Sequence, residues 1–170
     1  MSPRITIRPA ALSDEDAFLA AVRRSRNLHE PWVQPPRTPE AFRAHISRRD
    51  GTHHVTFFIW STSPSGGLIG VANLNEIVRG AFQSAYLGYY AFEPFAGRGL
   101  MKKGLSLVIS RAFREMKLHR IEANIQPENG RSKAFAKALG FRREGYSPRY
   151  LKIAGRWRDH ERWALLAEDW

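Results

Sequence analysis

The sequence predicts a mixed α/β fold, more closely α+β: a mostly antiparallel sheet of six to seven strands carrying about four helices. Three observations predict it. Apolar and polar residues alternate with a period of two in short runs along the chain, and other stretches carry apolar residues at helical spacing. Three of the strand runs follow one another with no helix between them, which implies an antiparallel meander. No repeat or low-complexity tract interrupts residues 1–170, a length sufficient to bury about two-thirds or more of the unfolded surface, so a single domain is expected.

Ile5 and Ile7 alternate with Thr6 and Arg8 in a first strand ending at Pro9. Ser13 and Asp16 have the spacing of a capping box, so a helix is expected to open there, with Phe18, Ala21 and Val22 on its apolar face. Segment 28–39 is rich in proline and aromatic residues, with Trp32 inside it, and reads equally as the cover of a pocket or as a surface connector. Thr38 caps a second helix with Pro39 in its first turn and Phe42 and Ile46 facing inward. Val55, Phe57 and Ile59 alternate with Thr56, Phe58 and Trp60, and the turn Ser63-Pro64-Ser65-Gly66-Gly67 folds this strand into a hairpin with residues 68–74. A polar excursion through Arg79 and Gly80 leads to the third strand of the meander, residues 85–92.

Residues 84–116 are the most informative stretch: that strand, a glycine turn with basic residues in it, then an amphipathic helix. Leu105, Val108, Ile109, Ala112, Phe113 and Met116 form the helical stripe. The turn runs Phe95-Ala96-Gly97-Arg98-Gly99-Leu100-Met101-Lys102-Lys103-Gly104. A helix N-terminus offers unpaired N–H groups and the positive end of the macrodipole, and Arg98, Lys102 and Lys103 add charge, so this corner suits a phosphate or pyrophosphate. It is equally an ordinary corner with solvated cations. Two phosphate fingerprints fail: Leu105 stands where the P-loop needs its lysine, and Lys102 holds the third glycine position of the dinucleotide motif, in a stretch with no clear βαβ unit around it.

Residues 119–126 alternate as a further strand. Asn129 caps the next helix, which turns Ala134, Phe135, Ala138 and Leu139 inward and stops at Gly140, a position for a left-handed cap. Residues 146–153 and 162–166 read as two last strands about a turn at Ala154-Gly155.

Composition narrows the chemistry. There is no cysteine, which removes disulfides, thiolate metal sites and a cysteine nucleophile. No apolar run reaches membrane-spanning length and the first residues lack a signal-peptide core, so a soluble, cytoplasmic protein without membrane contact is expected. Twenty-seven Lys and Arg against sixteen Asp and Glu give a formal charge of +11, which favours polyanions such as RNA or phosphorylated cofactors, although the basic clusters are dispersed and each alone reads as a solvated face.

Several runs together resemble the GNAT superfamily of N-acetyltransferases, and within it the Rim-type ribosomal-protein alanine N-acetyltransferases. They are Ile69-Gly70-Val71-Ala72-Asn73, Val78-Arg79-Gly80, Tyr86-Leu87-Gly88-Tyr89, Gly97-Arg98-Gly99-Leu100-Met101, His119-Arg120-Ile121, Leu139-Gly140-Phe141, Glu144-Gly145-Tyr146 and Trp157-Arg158-Asp159-His160. The resemblance implies a GNAT fold with a splayed cofactor cleft, acetyl-CoA as co-substrate and no metal. By position it implies that Arg98, Gly99, Leu100, Met101 and Lys102 bind pyrophosphate, that Ala91 and Phe92 pair with pantetheine, and that Asn129 and Ser132 lie near pantetheine and thiol. Asn129 and Ser132 read equally as a helix cap and a first-turn residue. The chain departs from the family pattern at Lys102-Lys103-Gly104, where relatives commonly carry a small polar residue, Glu and Ala; Gly104 costs about 1 kcal/mol of helix propensity against Ala.

Acetyl transfer to an amine needs a neutral amine, a stabilised oxyanion and a proton for the departing thiolate. Without cysteine, direct transfer in a ternary complex is the economical scheme. An α-amine, with a reference pKa near 7.7–8.0, needs less help from a base than lysine at about 10.4. The resemblance implies Ser132, at the family's thiol-side hydroxyl, and Tyr150, about where related N-terminal acetyltransferases place a phenol, as the candidate proton donors; Glu122 and Asn124, sharing a strand face, are the candidates for base or water holder, with Glu76 and Asp159 as weaker alternatives, and some relatives carry a carboxylate where this chain has Arg149. The expected acceptor is the N-terminal α-amine of a basic or ribosomal protein, with ribosome or RNA proximity through the basic surface and a monomeric or homodimeric state. The alternatives are a small amine of polyamine or antibiotic type, or a catalytically weak acyl-CoA-binding, ribosome-associated module.

Overall fold

The computed structural model describes residues 4–64 and 66–170. In chain order the elements are β1 (Ile5–Pro9), a 3-10 turn (Leu12–Asp14), α1 (Glu15–Arg24), α2 (Arg26–His29), α3 (Pro39–Ser47), β2 (Val55–Ser61), β3 (Leu68–Val78), β4 (Ser84–Ala91), α4 (Leu100–Arg114), β5 (Arg120–Ile125), α5 (Gly130–Ala138), β6 (Arg142–Ile153) and β7 (Arg156–Leu166). Seven strands form one sheet in the order β1-β2-β3-β4-β5-β7-β6. All neighbours are antiparallel except β4 and β5. The expected meander is β2-β3-β4. Ser65 of its first turn and the N-terminal residues 1–3 lie outside the described residues.

Two layers of side chains cover the sheet. On one face Phe57, Ile59, Leu74, Ala85 and Leu87 pack under α4 and α5. On the other, Phe58, Val71, Tyr90 and Phe92 meet Phe18 and Val22 of α1 and Phe42 of α3. Strand β2 is thus buried on both faces, which explains its run of large apolar residues at consecutive positions. Phe18 lies between Phe42 at 4.9 Å and Phe58 at 5.6 Å between ring centroids.

Local signals hold where local chemistry decides them. Thr38 Oγ1 accepts the Ala41 N–H at 3.2 Å, Asn129 Oδ1 accepts the Ser132 N–H at 3.1 Å, and Gly140 adopts φ +92° as the left-handed end of α5. The capping box at Ser13 and Asp16 does not form. Helix α1 starts at Glu15 after the 3-10 turn, and the buried Asp14 carboxylate accepts the Ala11 N–H at 2.9 Å and Arg8 Nη1 at 2.8 Å, tying the helix start to β1. Strand β3 runs to Val78, four residues past its expected end, and β7 begins at Arg156 rather than 162.

The largest correction concerns β4-α4-β5. It is a parallel crossover unit, not the open stretch expected, although Lys102 still excludes the dinucleotide fingerprint. Gly104 is also reinterpreted. A Cβ built there would lie 2.1 Å from Ile59 Cγ2, so the glycine lets α4 sit down on β2; its low helix propensity accompanies a packing requirement.

Candidate active site: a cleft where the sheet divides

Strands β4 and β5 pair over Ser84↔Arg120, Ala85↔Ile121 and Tyr86↔Glu122 and no further, though β4 continues to Ala91 and β5 to Ile125. Beyond Tyr86 the sheet is split. The split matters because residues alternate across a strand: Tyr86 and Gly88 point to the α1–α3 face, Leu87 and Tyr89 to the α4–α5 face. The opening therefore connects the two faces at residues 87–91.

On the α4–α5 face, the corner between β4 and α4 has the form of an anion receptor. Gly97 and Gly99 both adopt φ +74°, and nothing lies within 4 Å of where a side chain at either would begin. Gly99 is the N-cap and no side chain caps the helix, so the first N–H groups of this fifteen-residue helix face outward. Arg98, Lys102 and Lys103 are exposed around them, and Met101 is buried against Gly70. At the far side of the split, Ser132 Oγ lies 2.8 Å from Tyr89 Oη, so the start of α5 is tied to β4. Burial pushes the Tyr89 phenol up, keeping it protonated. Tyr89 is a site residue that sequence reasoning missed; only its place one residue after Gly88 in a family-like run hinted at it.

The backbone at the end of β4 divides unevenly. Phe92 donates its N–H to Ile69 O at 2.8 Å, and its carbonyl accepts the N–H groups of Phe95 and Ala96. Both backbone groups of Phe92 are therefore spent inside the fold, which corrects its expected role as a pairing residue; it contributes a wholly buried ring. Ala91 faces away from β3, and its carbonyl accepts a hydrogen bond at 2.8 Å from Nε2 of His29, a buried imidazole whose pKa is lowered by desolvation. The Ala91 N–H remains toward the split.

The α1–α3 face carries the acid–base candidates. Tyr150 Oη lies 3.5 Å from Tyr86 Oη across the mouth of the split. The hydrogen bond with Tyr150, followed by burial, pushes Tyr86 up to about 12, so this phenol holds its proton through the physiological range. Glu122 sits opposite Tyr86, with Arg120 Nε donating to its carboxylate at 2.7 Å; the same guanidinium binds Glu144, and these bonds raise the pKa of Arg120 and lower that of Glu144. Asn124 is two residues on, with its Oδ1 buried and unpartnered among the described residues, opposite Arg162, whose Nε is likewise unpartnered. Glu76 is 68% exposed and 3.9 Å from His54, away from this cluster.

Tyr150 reaches the split because β6 bulges. Register passes from Ser147↔His160 to Leu151↔Arg158, so Pro148, Arg149 and Tyr150 stand against Asp159 alone. Asp159 Oδ1 accepts the Arg149 N–H at 2.7 Å and Oδ2 accepts the Tyr146 hydroxyl, while Arg149 takes φ +48°. These bonds hold the Asp159 carboxyl below its ordinary range, so they are present at neutral pH and lost as pH falls through that lowered value. Asp159→Ala is expected to lower kcat/KM roughly 10–100-fold by misplacing Tyr150, with CoA affinity, measured calorimetrically, unchanged.

An anion-binding helix start beside a split sheet, with phenols and hydroxyls converging on the split, suits transfer of an acyl group from a phosphate-bearing carrier. The sequence profile of the acetyltransferase (GNAT) domain matches residues 4–142. The chain belongs to the GNAT acetyltransferase family. It is 36% identical over 177 aligned residues to the [ribosomal protein uS5]-alanine N-acetyltransferase of Escherichia coli, covering 98% of this chain and 90% of that protein. It is 33% identical to the probable N-acetyltransferase YjcK of Bacillus subtilis over 97% of this chain and 95% of that one. The solved structure of Mycobacterium smegmatis RimJ in complex with CoA-disulfide superposes with a TM-score of 0.85 at 28% identity, covering 96% of this chain and 82% of that one. This GNAT protein is an acyltransferase that uses acetyl-CoA, and its seven-stranded mixed sheet is the family fold.

Proposed function

We propose that this acetyltransferase modifies the N-terminal α-amine of a ribosomal protein by direct transfer in a ternary complex. The single observation that carries the reading is the split at Tyr86, which opens the α4–α5 face onto the α1–α3 face. Names of relatives over nearly the full chain support the acceptor class, and the same acceptor class, with the absence of any helix among the described residues long and apolar enough to cross a membrane, is compatible with work in the cytoplasm near ribosomes.

Acetyl-CoA supplies an activated thioester when bound. The N–H groups of Leu100, Met101 and Lys102, with Arg98 and Gly99 of the turn, would hold its pyrophosphate, because they are the outward-facing donors of α4. Ala91 would pair with the pantetheine through its N–H, and Asn129 and Ser132 would flank it at the start of α5. Ser132 or Tyr150 holds the proton needed at the sulfur. Tyr150 is the stronger candidate, since Ser132 is already engaged with Tyr89. Glu122 is occupied by Arg120, so Asn124 with its free Oδ1 is the better holder of a water beside the acceptor amine. An α-amine suits such a weakly basic site.

Release of free thiol from acetyl-CoA, followed with a panel of N-terminal peptides and a set of polyamines, tests the acceptor. Peptides are expected to turn over and polyamines not; the reverse preference would overturn the reading. For the cofactor, Lys102→Glu with Lys103→Glu should weaken CoA binding markedly at low salt and less at high salt, since both lysines are exposed and their action is Coulombic. Unchanged affinity at low salt would remove the lysines from the site.

A further inference from the structure

Arg49 is a cation without a counter-ion, and its surroundings make that unusual. It is half-buried at the edge of the α1–α3 face. Its Nη1 donates to Asn75 Oδ1 at 2.6 Å, its Nη2 lies 3.3 Å from both ring nitrogens of His45, and its Nε is buried and unpartnered. No carboxylate lies within ion-pair distance of it among the described residues. The adjacent Asp50 is turned away and saturated by the N–H groups of Thr52, His53 and His54 and by the His53 ring. His45 offers no compensation either: burial first, then the charges of Arg49 and Arg48, lower it to about 4, so it is neutral at physiological pH. Desolvation likewise lowers Arg49 from the ordinary guanidinium value. A partly desolvated charge left without a partner is costly, and the cost is relieved when an anion arrives.

The location indicates which anion. Arg49 is one side chain from the split: Asn75 lies opposite Tyr86 in the β3–β4 register, and its Nδ2 is 4.0 Å from where a side chain on Gly88 would begin. His45, which touches Arg49, also lines an open groove of about 590 Å³ with Gln34, Arg37, Thr38 and Arg48 among others, so four nitrogen-bearing side chains and no acid stand in its wall. An extended peptide advances about 3.3–3.6 Å per residue, so a chain with its amine at the split brings its second or third side chain to this place.

We propose that Arg49 is a specificity-determining residue that receives a carboxylate side chain at the second or third position of the acceptor. The planar guanidinium fork matches a carboxylate in two parallel bonds. This rests on the reading that the acceptor is a protein N-terminus. It adds a sequence preference to that reading: acidic residues close behind the acetylated amine.

The test compares peptides identical except for Asp, Asn or Lys at the second and third positions, with the wild-type chain and with Arg49→Met and Arg49→Lys. The wild type is expected to favour the Asp peptide over the Asn peptide by about tenfold or more in kcat/KM, mostly through KM, as hydrogen bonds to charged groups imply. Arg49→Met should erase that preference while leaving turnover of the Asn peptide and the thermal midpoint unchanged, and Arg49→Lys should restore part of it. Equal loss for all three peptides, or a lowered midpoint, would make Arg49 a structural support of Asn75 and overturn the proposal. So would a wild type indifferent to charge. If no peptide is acetylated at all, the acceptor reading fails, and peptide binding in the presence of CoA then decides this one: an Asp peptide bound no tighter than its Asn counterpart overturns it.

Discussion

Replacing Tyr150 by Phe is expected to lower kcat/KM with a peptide acceptor by about 10²–10⁴-fold, the range that a positioned general acid contributes. The substitution removes one oxygen, and among the described residues that oxygen has a single side-chain hydrogen-bond partner, the Tyr86 hydroxyl at 3.5 Å, a long contact that supplies little stability. The thermal midpoint should therefore stay within a degree or two. Affinity for CoA should also hold, since no part of the pyrophosphate corner touches Tyr150. Single-turnover measurement separates the acid's loss from slower product release. Wild-type rates in the variant would move the acid to Ser132, whose hydroxyl lies 2.8 Å from Tyr89.

Gly104→Ala is expected to destabilise the fold by about 2 kcal/mol, against the gain that helix propensity alone would give. Alanine adds about 1 kcal/mol of helical preference in an exposed position. Here its methyl would stand 2.1 Å from Ile59 Cγ2 and 3.1 Å from Ile59 Cδ1, and Ile59 is wholly buried in a two-faced strand. Relief requires α4 to lift from β2, and overpacking of this kind costs typically 1–3 kcal/mol and occasionally more. The midpoint should fall by about 4–8 °C for a chain of this length. A raised midpoint in a calorimetric scan would show that the helix can shift at no cost. Because α4 carries the anion corner, a loss of CoA affinity is expected to accompany the loss of stability.

These two residues also show what the sequence could and could not carry. Tyr150 was accessible as a candidate only because related N-terminal acetyltransferases place a phenol at about that position; its partner Tyr86 is 64 residues away, and only the bulge built by Asp159 brings the two hydroxyls together. The Tyr89 to Ser132 bond spans 43 residues and has no local signature. Gly104 looked like a defect because propensity is a local quantity, whereas its reason lies across the sheet in Ile59. Interactions closed within a few residues were readable: the Thr38 and Asn129 caps, the left-handed Gly140 and the glycine corner at 97–99. The Ser13 capping box failed for the converse reason, since Arg8 from β1 drew Asp14 into a contact that sequence spacing does not encode. The parallel β4–β5 pair was likewise hidden. It involves only three residue pairs, and the absence of further pairs is what makes the cleft.

The central claim is that the divided sheet delivers an acetyl group from acetyl-CoA to a peptide α-amine. It is tested most directly with one peptide that carries both a free N-terminus and an internal lysine, incubated with the purified chain and acetyl-CoA. Fragment mass spectrometry then locates the acetyl group while free thiol is counted. The account predicts one acetyl on the α-amine for each thiol released and an unmodified lysine. Acetyl on the lysine alone, or tight CoA binding with no acetyl on either amine, would contradict it.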